Sequence, residues 1–409
     1  MKMITLLALT LAFCGTTFGQ TMKIHKGAVT IAVPAVEAGR MTYGADGSTL
    51  IIMGTTYQVS ELDSITVDRS VVQPTTVAVD YNGGQAHVLL AGDIAPQLTV
   101  NVQKADVAIV AAAGLQKEVY YTLRGKSTDG SFFMDGEYKS TVTLENLNLS
   151  NADGAAIDIA NGKRIDVVVP DQTYSSLSDG KGTHKACFFV NGHPEFSGGG
   201  TLELTGNTKH AFASDEYTRF KPSFGTLKIR KAEGDGLHIE QYFKMDGGTL
   251  DIAGTHGDCI DVSFTKNPLD TLNGQAFVNA GKIKMEVASP DTKGFKVDSI
   301  GNMTISGGTI ETVVSGDGCK GISVGGNLLV QQKTATPTYI EMLVSGGVYM
   351  PNNPDLRAKT RGIRVKGNFT LDGGKIQITI TDENAKAIKQ DGEYVYRSGD
   401  IVINDQSGF

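Results

Sequence analysis

From residue 199 onwards, apolar and polar positions alternate in short runs, and each run follows a glycine. Alternation at period two predicts β-strands with one buried face. The unit recurs at intervals of roughly 25 residues, with two longer insertions. The seven copies read GGTLEL, FGTLKI, GGTLDI, AGKIKM, GGTIET, GGVYM and GGKIQI, and their aligned glycines are Gly200, Gly225, Gly248, Gly281, Gly308, Gly347 and Gly374.

A repeat of this length that holds only short strands and turns predicts an all-β fold, a β-solenoid of stacked parallel strands. One unit cannot bury its own apolar face, whereas stacked units place one apolar residue each in a continuous interior column. A β-propeller is the competing architecture, but its blades need about 40 residues each. The predicted column contains Leu202, Leu227, Leu250, Ile283, Ile310 and Ile376.

After the first 19 residues, the chain divides into a small amino-terminal segment and a long segment that contains the repeats. Residues 20–70 alternate at period two and carry a hairpin signal at Ala45-Asp46-Gly47, which predicts a small N-terminal β module. We assign residues 75–409 to the solenoid domain.

The amino terminus has the layout of a secretory signal peptide. Residues 1–19 carry Lys2 and an apolar run over residues 4–13, and we expect cleavage before Gln20. The mature chain is therefore expected to be secreted, extracellular or on the outer cell surface. The apolar run is about half as long as a bilayer span requires, and no later segment is longer, so no membrane span is predicted.

Composition narrows the class of protein further. The chain has 50 Gly, 11 Pro and no Trp, which indicates turn-rich β structure and argues against a flat tryptophan platform for crystalline cellulose. A formal charge of −7 gives no basic footprint for nucleic acid. Three cysteines remain after cleavage, an odd number that argues against a disulfide scaffold, and we expect Cys187, Cys259 and Cys319 to be buried.

Three stretches carry a resemblance to a known family. The run YTLRGKSTDGSFFMDGEYKSTVTLENLNLSNADGAAIDIANGKRIDVVVPDQTYSSLSDG, beginning at Tyr121, and the later phrases GDGLHI and GDCIDV resemble a bacterial family of secreted carbohydrate-binding domains. The resemblance extends from about residue 75 to the end. It implies a right-handed parallel β-helix similar to pectate lyases that binds calcium and plant cell-wall polysaccharide without established catalysis. Because such folds also host lyases, hydrolases and adhesins, the ligand is less closely specified than the fold.

The second strand of each repeat can be aligned in the same way. The alignment predicts a row of charged residues on the outer surface, with neighbours on adjacent coils about 4.8 Å apart. The row is acidic in the early coils and basic in the late ones. Adjacent cations would repel by about 1 kcal/mol per pair in water. Three interpretations stay open: the side chains extend into solvent, they pair with acids such as Asp298, Asp317, Asp382 or Glu383, or they bind an acidic polysaccharide such as galacturonan. The basic part of the row contains Lys293, Lys320, Arg361 and Lys386.

Carboxylates of the acidic part are candidate calcium ligands, because calcium prefers six to eight oxygen ligands. Asp235, Asp258 and Asp261 lie on successive predicted coils. The alternative is that an Asp before Gly only forms a turn. His238 and His256 read as isolated surface histidines, so no zinc cluster is predicted.

The sequence thus predicts a monomeric, calcium-stabilised protein that binds an acidic polysaccharide. Single tyrosines could stack on sugar rings, and the candidates are Tyr217, Tyr242 and Tyr339. The alternative is a pectate-lyase-type enzyme with calcium as Lewis acid and Arg361 or Arg364 as base. Against it, the acids and the arginines lie about four coils apart, roughly 19 Å at strand spacing. A third reading is an adhesin or structural surface protein in which the solenoid is a spacer.

Overall fold

The computed structural model describes residues 20–265, 269–333 and 335–408. The predicted signal peptide, residues 1–19, lies outside the described residues. Within them the chain forms 40 strands, one short helix at Ala35–Ala38, and 3-10 turns at Val59–Glu61, Ala95–Gln97 and Pro354–Leu356. The prediction of an all-β fold is confirmed.

Each coil of the solenoid contributes three strands. One coil contains Thr201–Gly206, His210–Ser214 and Thr218–Phe220. Each of these strands pairs in parallel with the equivalent strand of the next coil. The stacked coils therefore build a parallel β-helix with three faces, which we call face A, face B and face C in the order that the chain visits them.

Face A contains the glycine-preceded strands and two further strands without that glycine, and face C is formed by the third strand of each coil. The strands of face A are Tyr174–Ser178, Thr201–Gly206, Thr226–Ala232, Thr249–Ile252, Lys282–Val287, Gly308–Val314 and Thr338–Val344. Those of face C are Arg164–Val168, His193–Ser197, Thr218–Phe220, Tyr242–Met245, Gln275–Val278, Met303–Ile305 and Leu328–Gln331. Long strands run through both faces and join them into one 23-stranded sheet; they are Thr76–Asn82, Val119–Ser127, Ser140–Ser150, Phe369–Ile380 and Tyr394–Asp405.

Face B is a separate 12-stranded sheet that begins with one antiparallel hairpin and is parallel thereafter. Its strands are Leu98–Gln103, Asp106–Ala111, Ser131–Asp135, Ile157–Ile159, Ala186–Val190, His210–Ser214, Leu237–Ile239, Ile260–Val262, Lys293–Val297, Lys320–Val324, Arg361–Val365 and Lys386–Gln390.

The interior column is confirmed, with one addition. The predicted leucines and isoleucines pair in register from coil to coil and are fully buried. Ile340, from the strand Thr338–Val344, lies between Ile310 and Ile376. The repeat assigned to Gly347 was wrong: Val348–Tyr349 pairs antiparallel with Ala358–Lys359 in a small hairpin outside the coil.

Four of the amino-terminal strands are hydrogen-bonded to the same long sheet, whereas Thr42–Tyr43, Thr49–Ile52 and Thr55–Gln58 form a separate three-stranded antiparallel sheet. The four strands in the long sheet are Thr21–Lys26, Val29–Pro34, Ser64–Asp68 and Gln85–Ala91. Val29–Pro34 pairs in parallel with Gln85–Ala91, which in turn pairs with the long strand Thr76–Asn82. Hydrogen bonds therefore continue across the division between residues 20–70 and 75–409, and that division stays a prediction.

The interior explains the cysteines. Cys187, Cys259 and Cys319 are unpaired and fully buried, as expected. Burial raises the pKa of the Cys259 thiol to about 12. Among the described residues, the one helix has four residues, far too short to cross a bilayer.

Candidate functional site

The predicted row of cations exists on the outside of face B. Lys293 lies opposite Lys320, Lys320 opposite Arg361, and Arg361 opposite Lys386 on successive strands. The apolar residues between them point inward, as the full burial of Phe295 shows. One cation per coil therefore lies at the same position of four consecutive coils.

A second row runs beside the first and was missed in the sequence. It lies three residues further along the same strands, where Lys296 pairs with Ser323, Ser323 with Arg364, and Arg364 with Lys389. The sequence alignment that predicted the first row would also have shown the second row, had it been followed three residues further along each strand. We call the two rows together the basic surface; it comprises Lys293, Lys296, Lys320, Arg361, Arg364, Lys386 and Lys389.

Four carboxylates neutralise part of the basic surface, and two of them, Asp258 and Asp261, lie beside Lys296. Asp291 accepts from Lys320 Nζ at 2.8 Å, and its backbone carbonyl accepts from Lys293 Nζ at 2.6 Å. Asp391 pairs with Arg364 and lies 3.8 Å from Lys389 Nζ. In the part of the chain that the structure describes, the acids considered from the sequence form no salt bridge with the basic surface; these are Asp298, Asp317, Asp382 and Glu383.

Arg361 lies near the centre of the basic surface and has no acidic partner among the described residues. Its residue is only 8% exposed, and its guanidinium donates to the carbonyl of Thr360 at 2.7 Å. Burial and the nearby charge of Arg364 lower the pKa of Arg361 from its usual value. A nearly buried cation beside other cations leaves positive charge uncompensated at this point.

The acidic end of the row adjoins two histidines. Asp235 Oδ2 lies 3.2 Å from His210 Nδ1 and 3.1 Å from His238 Nδ1. His238 Nδ1 is also 3.1 Å from Oδ2 of Asp261 on the next coil. We call these four residues, His210, Asp235, His238 and Asp261, the histidine–aspartate cluster.

The expectation that no histidine cluster exists was wrong. The rings of His210 and His238 stack with centroids 4.5 Å apart and an interplanar angle of 16°. His210 lies in the first row of one coil and His238 in the second row of the next coil. No fixed spacing in the sequence therefore predicts the contact between them. His256 is a surface histidine, as expected, and its Nδ1 lies 2.8 Å from Glu233.

The cluster shifts the protonation of its members. Burial opposes charge on His238, but hydrogen bonds to Asp235 and Asp261 outweigh it and raise the pKa of His238 to about 9. Burial likewise opposes charge on Asp235, yet the two imidazoles hold the pKa of that carboxyl well below its usual range. Asp258 lacks such partners, and burial raises the pKa of its carboxyl to about 6 despite Lys293 and Lys296.

The three carboxylates predicted to bind calcium are brought together, but with basic neighbours. Lys296 Nζ lies 3.1 Å from Asp261 Oδ1 and 3.6 Å from Asp258 Oδ2. The backbone N–H of Asp258 donates to Asp235 Oδ1 at 2.7 Å. Calcium needs an oxygen shell, and here imidazole and ammonium groups occupy much of the space around the carboxylates, so the set fits calcium poorly. Calcium at these residues stays a prediction.

The tyrosines considered for sugar stacking lie away from face B. On face C, Tyr217 stacks between His193 and Tyr242, with centroids 4.7 and 4.6 Å away. Both ring faces of Tyr217 are therefore covered by protein. Tyr339, on face A, has the ammonium of Lys375 over its ring at 5.9 Å.

A groove of about 450 Å³ lies on face A. Its lining includes the carboxylates of Asp251, Glu286 and Glu341 and the half-exposed side chains of Val313 and Leu343. The carboxylates would repel a polyanion, so the two outer surfaces favour ligands of different charge.

The geometry is that of a parallel β-helix with an extended charged surface on one face. Residues 103–407 match the family of carbohydrate-binding domain-containing proteins, and the chain belongs to this family. Among solved structures it is similar to the polysaccharide lyase-like protein from C. thermocellum, in its gadolinium derivative, with 16% identity over 80% of this chain and 100% of that chain and a TM-score of 0.37. A likeness at that level carries no argument about activity. No curated protein matches the chain.

Proposed function

We propose that the protein is secreted or displayed on the cell surface and binds an acidic polysaccharide of the galacturonan type, without cleaving it, on the basic surface of face B. The observation that carries the proposal is the unbroken row from Lys293 to Lys386, in which Arg361 has no acidic partner among the described residues. Membership of a carbohydrate-binding family supports a polysaccharide as the ligand.

Electrostatics argues for a polyanion across this row. Unit charges at strand spacing repel by about 1 kcal/mol in water and by about 3–4 kcal/mol at an effective dielectric constant near 20. Asp291 relieves this repulsion at Lys320 but not at Arg361. A chain of uronic acids along the solenoid axis would place carboxylates beside several coils at once.

A single exposed contact between a cation of the row and a carboxylate of the glycan is weak, so the affinity depends on how many such contacts form at once. Four coils span about 14 Å along the axis at strand spacing, enough for several sugar units to be held together. Once one contact has formed, the effective concentration of the next glycan carboxylate beside the surface is raised. Several weak contacts then give useful affinity without a deep pocket.

A direct test compares galacturonan with a neutral glucan by affinity electrophoresis or calorimetry. We expect binding to galacturonan that weakens as salt rises from about 0.05 to about 0.5 M, because screening shortens the reach of exposed charges. Equal affinity for the neutral glucan, or indifference to salt, would refute the proposal. Absence of binding to any glycan would favour the adhesin or spacer reading instead.

A calcium-dependent lyase is the second candidate, and one observation favours it. Burial lowers the pKa of Arg361, which is the direction that a catalytic base requires. Arg364 is less suited, since it is engaged by Asp391 and the carbonyl of Val365. Asp258 and Arg361 are three coils apart, about 14 Å, which is long for one sugar. Ultraviolet absorbance from unsaturated products, lost in Arg361→Gln, would establish the lyase.

A further inference from the structure

We propose that His210, Asp235, His238 and Asp261 bind a divalent transition-metal ion such as Zn²⁺, and that the ion ties three consecutive coils together. This inference does not rest on the proposed function, because none of the four residues belongs to the basic surface. His210 comes from one coil, Asp235 and His238 from the next, and Asp261 from the third.

The donor atoms already lie close to the separations that zinc requires. Zinc bonds of about 2.0–2.2 Å to nitrogen and oxygen in a tetrahedron place neighbouring ligand atoms about 3.3–3.5 Å apart. The three measured contacts between imidazole Nδ1 and carboxylate Oδ2 atoms are 3.2, 3.1 and 3.1 Å. The ligand atoms of His210, Asp235 and His238 all lie within 4.8 Å of one another. The rings of His210 and His238 stack nearly parallel, so both imidazoles would rotate on binding to direct their Nδ1 lone pairs at one ion.

His210 Nδ1 faces two groups that a single protonation state cannot both satisfy. The backbone N–H of Asp235 donates to it at 3.0 Å, which requires a free lone pair on the nitrogen. The same nitrogen lies 3.2 Å from the Asp235 carboxylate, which then opposes lone pair to lone pair. A cation between nitrogen and carboxylate would turn that repulsion into attraction.

His238 presents a related mismatch. Its Nδ1 lies 3.1 Å from one oxygen of Asp235 and 3.1 Å from one oxygen of Asp261. One N–H can be aimed well at only one of the two acceptors. A metal ion accepts several donors at once, and here the imidazole and both carboxylates would become ligands.

The donor types decide the class of ion. Two imidazoles and two carboxylates suit zinc and its neighbours, whereas calcium takes oxygen ligands almost alone. Lys296 lies 3.1 Å from the other carboxylate oxygen of Asp261, where it would act as an outer partner that fixes this ligand. The ligand atoms of three residues already group together, and movement of Asp261 towards them would close the shell, which makes the site structural rather than catalytic.

The test uses the mature chain, stripped with a chelator and titrated with ZnCl₂, CaCl₂ or CoCl₂ alone. We expect one Zn²⁺ per chain by elemental analysis after dialysis, a larger rise in melting temperature with zinc than with calcium, and the visible absorption of tetrahedral Co²⁺. His238→Gln should weaken zinc binding at least tenfold, by analogy with the loss caused by altering metal-site partners.

His256→Gln is the matched control, because that histidine is exposed and pairs with Glu233 outside the cluster. Zinc binding in this variant should equal that of the unaltered chain. The proposal is overturned if the unaltered chain takes up no zinc, if its Co²⁺ spectrum is octahedral, or if both variants lose zinc equally. The first two readouts need no variant, so they decide the matter even if His238→Gln fails to fold.

Discussion

Lys320 and Arg361 lie opposite each other on adjacent coils, yet of the two only Lys320 has a carboxylate partner among the described residues. Asp291 serves Lys320 at 2.8 Å, whereas the guanidinium of Arg361 donates to a backbone carbonyl. Asp391 pairs with Arg364 beside it, so Arg361 is a gap in the neutralisation of the basic surface. A carboxylate from outside the protein would be most stabilised beside Arg361.

Neutralising this pair should weaken glycan binding. In the variant Lys320→Gln/Arg361→Gln, we expect the affinity for galacturonan to fall about tenfold, since two charge contacts of roughly 0.5–1 kcal/mol each are lost. Glutamine is preferred to glutamate because Arg361 is nearly buried, and an unpaired carboxylate there would threaten the fold. Calorimetric titration measures the change.

Lys139→Gln/Lys163→Gln is the matched control for charge. Both lysines are exposed and lie outside the basic surface, and Lys163 pairs with Glu137 at 2.8 Å. This variant has the same net charge as the first but should bind like the unaltered chain. If both variants lose the same affinity, net charge rather than the row governs binding.

A separate prediction concerns calcium at the acidic end of the charged row on face B. If calcium binds at Asp235, Asp258 and Asp261, a calcium-selective chelator should lower the melting temperature, and added calcium should restore it by mass action. Asp258→Asn tests the ligand choice, because this residue lies outside the histidine–aspartate cluster. Calcium that persists in Asp258→Asn with unchanged affinity must be held elsewhere, and a chelator without effect excludes the site.

Acid should cancel the contribution of Glu195 to stability. Glu195 accepts from Tyr217 at 2.9 Å and pairs with Lys221 at 3.0 Å on face C. Burial opposes its charge, but these partners lower the pKa of its carboxyl. A lowered pKa stabilises the fold above the unfolded value of about 4.3, and this stabilisation disappears as pH falls through the folded value.

Glu195→Gln should therefore cost about 1–3 kcal/mol near neutral pH, with the difference from the unaltered chain shrinking on acidification below about pH 4. Urea unfolding at a series of pH values measures it. Glu137→Gln is the control, since the side chain of Glu137 is 76% exposed and should matter little at any pH. A cost for Glu195→Gln that does not vary with pH would contradict the assignment.

The interior column should dominate stability. Ile283→Ala, in the centre of the column, should cost about 2–5 kcal/mol because it leaves a cavity between Leu250 and Ile310. Leu343→Ala removes an aliphatic side chain from the outside of the same face, where 42% is exposed, and should cost under about 1 kcal/mol. Denaturant unfolding of both variants would reveal similar costs if the column were not the core.

The repeats could be identified from the sequence wherever a glycine precedes the strand. Leu202 to Ile310 could be aligned because a glycine precedes each of these strands, and close packing of successive turns favours glycine there. Pro337 precedes the strand Thr338–Val344 instead, so this coil carried no marker. The nearby glycine pair at Gly347 opens an inserted hairpin, and its similarity to the repeat was misleading.

Within the site, the sequence could predict contacts only between residues at equivalent positions of adjacent coils. The first row of cations could be predicted because each coil contributes at an equivalent strand position. Asp291 could not be identified as their partner, because it lies in the turn before its strand and reaches a lysine of the next coil. The contact between His210 and His238 joins unequal positions of adjacent coils, which alignment of equivalent positions does not show.

The first row of the basic surface carries one cation per coil, so its charges repeat at a fixed distance along the solenoid axis. Duplicating or deleting a unit of roughly 25 residues would change the length of this row by one strand spacing, about 4.8 Å, and its number of charges by one. Neighbouring coils would keep their packing, because each contacts only the coils beside it. Such a protein can match glycans of different length or charge density by gain or loss of whole coils, without a newly shaped pocket.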